Sequence, residues 1–268
     1  MHPSEMPLIP ISGRTRLYGF IGDPVAYART PQNLNPLFAA AQKDALMIAL
    51  HVHANSFEQS IPNLMALGNL DGIVITMPFK DRIIPFLDTI SESARAVNAV
   101  NAAKRLPDGT WHGDIFDGAG LVGAARGIGL AIQGMKVGLI GSGGAGSAIA
   151  YALADAGVGS ITITDLNMQR AEALSLHLNA HGTHAQAGPI ALDGLDLLIN
   201  ATPIGMNPDD DVPIDIAGLS ARTAVIDIVP KPDTRFSQKA KAIGCRFTDG
   251  AAMVSAQAEA IFSFFSAS

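Results

Sequence analysis

Val137-Gly-Leu-Ile140 is an apolar run of strand length, and it opens into Gly141-Ser-Gly-Gly-Ala-Gly146. Ser147-Ala-Ile-Ala-Tyr-Ala-Leu-Ala154 then favours a helix, Gly157 breaks it, Ile161-Thr-Ile-Thr164 is β-branched, and Asp165 closes the unit. This is a strand, a Gly-x-Gly-x-x-Gly turn, a helix, a second strand and an acid about twenty residues past the turn. Gly141 permits the tight turn, Gly143 lets the backbone approach a pyrophosphate, and Gly146 lets helix and strand pack closely. Ser142, Gly144 and Ala145 complete the turn, and the helix N-terminus offers free N–H groups and a positive dipole end to phosphate. The pattern predicts a dinucleotide site.

Asp165 also speaks to which dinucleotide binds. Its carboxylate suits the ribose hydroxyls of NAD, whereas the 2′-phosphate of NADP would meet a like charge. Two like unit charges ~4 Å apart repel by about 4 kcal/mol at an effective dielectric near 20. Leu166 supplies no cation, and Arg170 is the nearest residue able to offset the repulsion. NAD is therefore expected ahead of NADP.

The chain has 268 residues, enough for two domains, and 48% of them are hydrophobic against 16% charged, which excludes a disordered protein. A formal net charge of −6 with no basic cluster argues against nucleic acid. The lone cysteine, Cys245, suits a reducing cytoplasm and reads as a buried structural thiol. Met1 to Arg16 lacks the apolar core of a signal peptide, and no run reaches membrane-span length. We expect a cytoplasmic monomer or homodimer with no membrane partner.

Before the nucleotide unit, strands and helices alternate, which predicts a largely parallel sheet covered on both faces. The readings are a strand at Arg16–Gly22, a helix with Thr30 as N-cap and Pro31 first, and a strand at Leu46–Val52. A helix at Phe57–Leu67, a buried strand at Gly72–Met77 and a helix after Asp81 follow. A hairpin spans Ala96 to Trp111 about Pro107-Asp-Gly109, and a helix covers Ala119–Ala125. After the nucleotide unit come a helix near Gln169–Ala180, strands at Leu195–Asn200, Ala224–Val229 and Cys245–Thr248, and helices at Gln238–Ile243 and Ala251–Phe265. Ligands in open α/β sheets sit beyond the carboxyl ends of strands, where Lys80 and Asp117 stand out. His177, His181 and His184 read as a solvated helix face, so no metal centre is expected.

Seven motifs together resemble the shikimate dehydrogenase family, from about Gly19 to the C-terminus. They are Gly22-Asp-Pro-Val-Ala, Thr76-Met-Pro-Phe-Lys80, Ala99-Val-Asn101, Gly113-Asp114 with Asp117-Gly118, Gly141-Ser-Gly-Gly-Ala, Asn200-Ala-Thr-Pro-Ile-Gly-Met206, and Met253 with Gln257. The resemblance implies an α/β substrate domain (1–117), a Rossmann domain (118–249) and a C-terminal helix (250–268) returning to the first domain. It implies hydride transfer between a nicotinamide and a ring carbinol, with Lys80 and Asp117 as the catalytic pair. Ala28, Thr30, Thr76, Asn101 and Gln257 fall at substrate contacts, and Thr202, Ile228, Gly250 and Met253 at the nicotinamide pocket.

The departures point to a changed substrate. The family's Ser-x-Ser-Pro is Ala28-Arg29-Thr30-Pro31, its asparagine two residues before the strand-end threonine is Val74, and its Asn-Thr before the aspartate is Ile115-Phe116. A tyrosine is replaced by Pro230, and the nucleotide-side Asn-Arg-Thr by Asp165-Leu-Asn167. Each lost hydrogen bond to a charged group is worth ~1.5–3 kcal/mol. We expect an NAD-dependent oxidoreductase acting on a cyclic alcohol or ketone related to shikimate or quinate, through a more apolar pocket. The alternatives are an orthodox shikimate or quinate dehydrogenase, with Arg29 replacing the serines, and an NAD-binding sensor with little catalysis.

Overall fold

The computed structural model describes residues 11–267 except 27, 208, 230 and 232, so Pro230 and the first ten residues of the leader reading lie outside it. The chain divides into two compact units. The first runs to Phe116 and takes back the residues from Ala258 onward, and the second is Asp117–Gln257.

In the first unit the elements are β1 (Arg16–Gly22), α1 (Thr30–Ala40), β2 (Ala45–His51), α2 (Phe57–Met65), β3 (Leu70–Ile75), β4 (Thr89–Ile90), α3 (Glu92–Val97), β5 (Ala102–Arg105) and β6 (Trp111–Asp114). The sheet order is β2-β1-β3-β5-β6-β4, with β1 parallel to β2 and β3. β5 runs antiparallel to both β3 and β6, so the sheet is mixed rather than largely parallel. Neighbouring strand residues point to opposite faces. Ile21, Ile73 and Ile75 join one core with Phe57 and Phe79, while Tyr18, Phe20 and Val74 join another with Leu34 and Phe38 of α1.

Three local expectations are corrected, and one short strand went unread. Pro85 lies inside Ile84–Phe86, a single 3-10 turn, where a longer helix was expected after Asp81; proline cannot donate the next helical bond. The hairpin strand begins at Ala102, because 92–97 form α3. Its cap is Ser91, whose hydroxyl accepts from Ala94 N at 3.1 Å, and Asn98 closes it at φ 50°. The N-cap of α1 is Arg29, one residue before Thr30. Finally, the strand at Ala185–Ala187 went unread because three residues show no period.

The second unit contains α4 (Asp117–Gly127), β7 (Lys136–Ile140), α5 (Gly144–Asp155), β8 (Ser160–Thr164), α6 (Met168–Ala180), β9 (Ala185–Ala187), β10 (Leu197–Asn200), β11 (Ala224–Asp227), α7 (Arg235–Ile243), β12 (Phe247–Asp249) and α8 (Gly250–Ser266), whose last turns belong to the first unit. All six strands are parallel in the order β12-β11-β10-β7-β8-β9. That is the doubly wound dinucleotide-binding topology, with its reversal between β7 and β10. Leu139, Ile199 and Ile226 face a core shared with α4, α5 and α6, and Ile140, Leu198 and Val225 face one shared with α7. The last part of α8 returns Ala258, Ile261 and Phe265 to the core of the first unit. Cys245 is buried, and burial pushes its thiol up, as a structural cysteine requires.

A buried polar knot ties the ends of β10 and β11. Asp227 accepts from Asn200 Nδ2 at 2.9 Å, Thr234 Oγ1 at 2.6 Å and Val229 N at 3.2 Å. Burial raises its pKa, and these donors only partly offset that. A carboxyl whose pKa is raised by folding is a net cost in its charged form above its ordinary pKa, so its value lies in the donors it satisfies. Asp227→Ala is expected to destabilise the chain by about 1–3 kcal/mol in urea unfolding, because it strands buried donors. A change within about 0.5 kcal/mol, typical of surface substitutions, would contradict this.

Candidate active site

The glycine turn sits where β7 meets α5, at the topological reversal. Gly141 has φ 98°, and a Cβ built on Gly146 would stand 2.1 Å from the Gly141 carbonyl oxygen, so neither position accepts a side chain. Gly143, at the N-cap of α5, has open space where a Cβ would be, so its backbone is accessible to a ligand. Gly144 and Ala145 begin the helix, whose first N–H groups form an anion-binding end.

Asp165 does more than the sequence suggests. Its Oδ2 accepts from Ser142 N at 2.6 Å and Ser142 Oγ at 2.8 Å, while Oδ1 accepts from Asn167 N at 2.8 Å. Burial pushes the carboxyl up, but these bonds and the charge of Arg170 outweigh it and hold the pKa below the usual carboxylate value. Asp165 therefore stays ionised and clamps the turn. Leu166 is 99% exposed, and Arg170 is exposed on the first turn of α6.

Around the same sheet edge, Gly141 leaves room for Thr202, whose Cγ2 would lie 2.9 Å from an added Cβ. Thr202 Oγ1 donates to Asn200 Oδ1 at 2.7 Å. Gly250 packs on Ile228, with an added Cβ 2.3 Å from its carbonyl oxygen. Met253 crosses α4 at Gly120, where a Cβ would meet the Met253 carbonyl oxygen at 2.8 Å. Asp117, 4% exposed at the start of α4, accepts from Gln257 Nε2 of α8 at 2.9 Å. Two residues assigned to different parts of the chain thus meet in one hydrogen bond.

The first unit presents its candidates on the loops after β1, β3 and α3. Thr76 follows β3, and its methyl packs so closely on Gly22 that an added Cβ there would lie 2.4 Å away. Lys80 is half-buried, and its carbonyl accepts from Val100 N at 2.7 Å, tying its turn to the segment that carries Asn101. Asn101 is buried, and its Oδ1 accepts from Phe116 N at 2.9 Å. Thr30 is buried at the start of α1. Ala28 and Phe116 pack, half-buried, against the cluster that contains Val74, and the Phe116 ring lies 5.2 Å from that of Phe264. His177, His181 and His184 are all exposed, and His181 Nδ1 turns to the His177 carbonyl at 2.8 Å. Sequence reasoning missed the Asp165–Ser142 clamp, because a serine in a glycine turn carries no spacing signal.

Residues 20–103 match the family described as shikimate dehydrogenase substrate binding domain, and 136–231 match that described as NADP oxidoreductase, coenzyme F420-dependent. A shikimate dehydrogenase (NADP(+)) of Staphylococcus epidermidis is 34% identical over 216 residues, 80% of this chain and 78% of that protein. The structure of shikimate 5-dehydrogenase from Listeria monocytogenes in complex with shikimate and NAD superposes with TM-score 0.85 at 30% identity, covering 96% of this chain and 93% of that one. The ligand-free 5-ketofructose reductase of a Gluconobacter strain gives TM-score 0.83 at 30% identity, over 95% and 94% of the two chains.

The clamp yields a pH-dependent expectation. A carboxyl whose pKa is depressed by folding adds stability that is present above its unfolded pKa, ~3.9, and lost as pH falls through the lower folded value. Asp165→Ala is expected to unfold more easily than the wild type at pH 7, with the gap closing as pH is lowered below about 4. Denaturant melts of both proteins across that range test it. A gap that is absent at pH 7, or that persists undiminished at low pH, counts against the clamp.

Proposed function

The chain belongs to the shikimate dehydrogenase family, and from that premise we propose an oxidoreductase that transfers hydride between NAD(H) and a cyclic polyol or its ketone. Residues 1–117 serve as the substrate domain, 118–249 bind the dinucleotide, and 250–268 form the closing helix of a cytoplasmic enzyme. The dinucleotide supplies the hydride acceptor. Gly141 to Ala145 cradle its pyrophosphate, and Thr202, Ile228, Gly250 and Met253 line the nicotinamide. Lys80 polarises the reacting oxygen with its ammonium, and Asp117, steadied by Gln257, accepts a hydrogen bond from that oxygen and manages its proton. Thr30, Thr76 and Asn101 hold the ring hydroxyls.

The preference for NAD rests on Asp165. Its ionised carboxylate disfavours a 2′-phosphate by about 4 kcal/mol at ~4 Å before screening. Relatives are named for NADP, and solved neighbours are described with NADP and with NAD, so this preference rests on the charge of Asp165 alone.

The observation that carries the changed substrate is the grouping of Ala28, Val74 and Phe116. All three stand where the family has polar groups, and all three pack on one apolar cluster with Phe38 and Phe265. We read this apolar grouping as fitting a substrate whose far end lacks a carboxylate. The 5-ketofructose reductase neighbour, named for a sugar, is consistent with neutral substrates on this fold.

Steady-state kinetics with shikimate, quinate and neutral cyclic polyols, each with NAD and NADP, test this reading. Neutral polyols with NAD should give the highest kcat/KM, with NADP at least about tenfold poorer, the rate effect of ~1.4 kcal/mol. A micromolar KM for shikimate with kcat above about 10 s⁻¹, ordinary enzyme values, would restore the orthodox dehydrogenase. Comparable efficiency with NADP would show that Arg170 offsets Asp165.

Lys80→Ala is expected to lower kcat by ~10²–10⁴ while NAD binding, followed by fluorescence, stays intact. A variant with near-normal kcat would remove Lys80 from the chemistry.

A further inference from the structure

Apart from the residues assigned to hydride transfer, the first unit gathers three metal-ligating side chains. β1 and β2 pair in parallel with Gly22 opposite His51, so Asp23, the next residue, emerges beside His51. His53 lies two residues further, and alternate residues of an extended chain point the same way. The His51 Nε2 stands 2.8 Å from Asp23 Oδ1, and the His53 Nδ1 stands 4.0 Å from Asp23 Oδ2. One ligand atom from each residue lies within 4.8 Å of the others, the one such group of three found among the described residues.

A single hydrogen bond to Asp23 accounts for His51, while His53 stands farther from the same carboxylate. The two imidazoles meet edge to face, with centroids 4.5 Å apart, and both offer a nitrogen to the same carboxylate. That carboxylate is held in place, because Asp23 Oδ2 accepts from Ala54 N at 2.9 Å. Nitrogen and carboxylate ligands of zinc lie about 2.0–2.2 Å from the metal, which puts neighbouring ligands in a tetrahedron about 3.3 Å apart. The separations of 2.8 and 4.0 Å fall on either side of that spacing. The His53 side chain is 72% exposed and has room for the small rotation that closes the set.

We propose that Asp23, His51 and His53 bind a zinc-like divalent cation through two imidazoles and one carboxylate, leaving its fourth position open to solvent. The site stands independently of the hydride-transfer reading. Its placement gives it a structural consequence. Asp23 N donates to the Met77 carbonyl at 3.2 Å, next to Thr76, and the segment after Asp23 leads through Ala28 to Thr30. A bound cation braces the base of that loop against β2.

The test is calorimetric titration of the metal-free chain with zinc chloride, with cobalt chloride as an absorption probe. The wild type should take up one equivalent and show the visible bands of tetrahedral cobalt. Loss of a group behind a metal ligand already weakens binding by roughly 10–100-fold, so His51→Ala and His53→Ala should each weaken it by about a hundredfold or more. His53→Ala is the decisive variant, since an exposed side chain can be truncated without loss of folding, which circular dichroism verifies. His177→Ala with His181→Ala should leave the binding unchanged. Absence of stoichiometric uptake by the wild type, undiminished uptake by His53→Ala, or loss of uptake in the α6 double variant would each overturn the proposal.

Discussion

The two bonds from Ser142 to the Asp165 carboxylate join the ends of β7 and β8, and the nucleotide turn depends on that junction. The turn is crowded from inside, because Gly146 presses on the Gly141 carbonyl and Thr202 on Gly141 itself. It therefore has little freedom to adjust, and an ionised acid at the neighbouring strand end fixes what remains. On the proposed reading, the same carboxylate carries the charge that bears on cofactor choice. Exchanging Asp165 would thus also remove both bonds that fix Ser142 in the glycine turn. A cation added beside it leaves the clamp in place.

Most of this second unit was legible because its signals are local. A strand, three glycines, an Ala-rich helix and an acid each declare themselves within a few residues. Parallel pairing then follows from the alternation of strand and helix. The first unit was harder to read for a physical reason. The antiparallel placement of β5 between β3 and β6 is a long-range choice that no window reveals, and Pro85 reduced an expected helix to one turn. Ser91 with Glu92 was a readable helix start that the hairpin pattern obscured.

Histidines show the same division. A search for helical spacing finds His177 and His181, yet the structure leaves both exposed. His51 and His53 have strand spacing, and their partner Asp23 arrives only through the pairing of β1 with β2. Asp117 and Gln257 are farther apart still in sequence, and only the packing of α8 on α4 closes their bond. Residue types at strand ends were thus predictable from sequence, whereas their partners required the fold.

The apolar replacements in the first unit are best understood as one change. Val74 is buried in the sheet, while Ala28 and Phe116 reach the same cluster from the loop before α1 and the segment after β6. A hydroxyl or amide restored at one of these positions would face two apolar neighbours and cost about 1–3 kcal/mol if left without a partner. A hydrogen bond from it to a charged substrate returns ~1.5–3 kcal/mol. The two nearly cancel, so a single polar reversion gains little, and the three positions act together. Asn101 ties Phe116 to the segment after α3, because its Oδ1 accepts from Phe116 N at 2.9 Å. On the proposed reading, chemistry at the reacting oxygen falls to Lys80 and Asp117, while selection at the far end of the ring falls to the separate apolar group of Ala28, Val74 and Phe116.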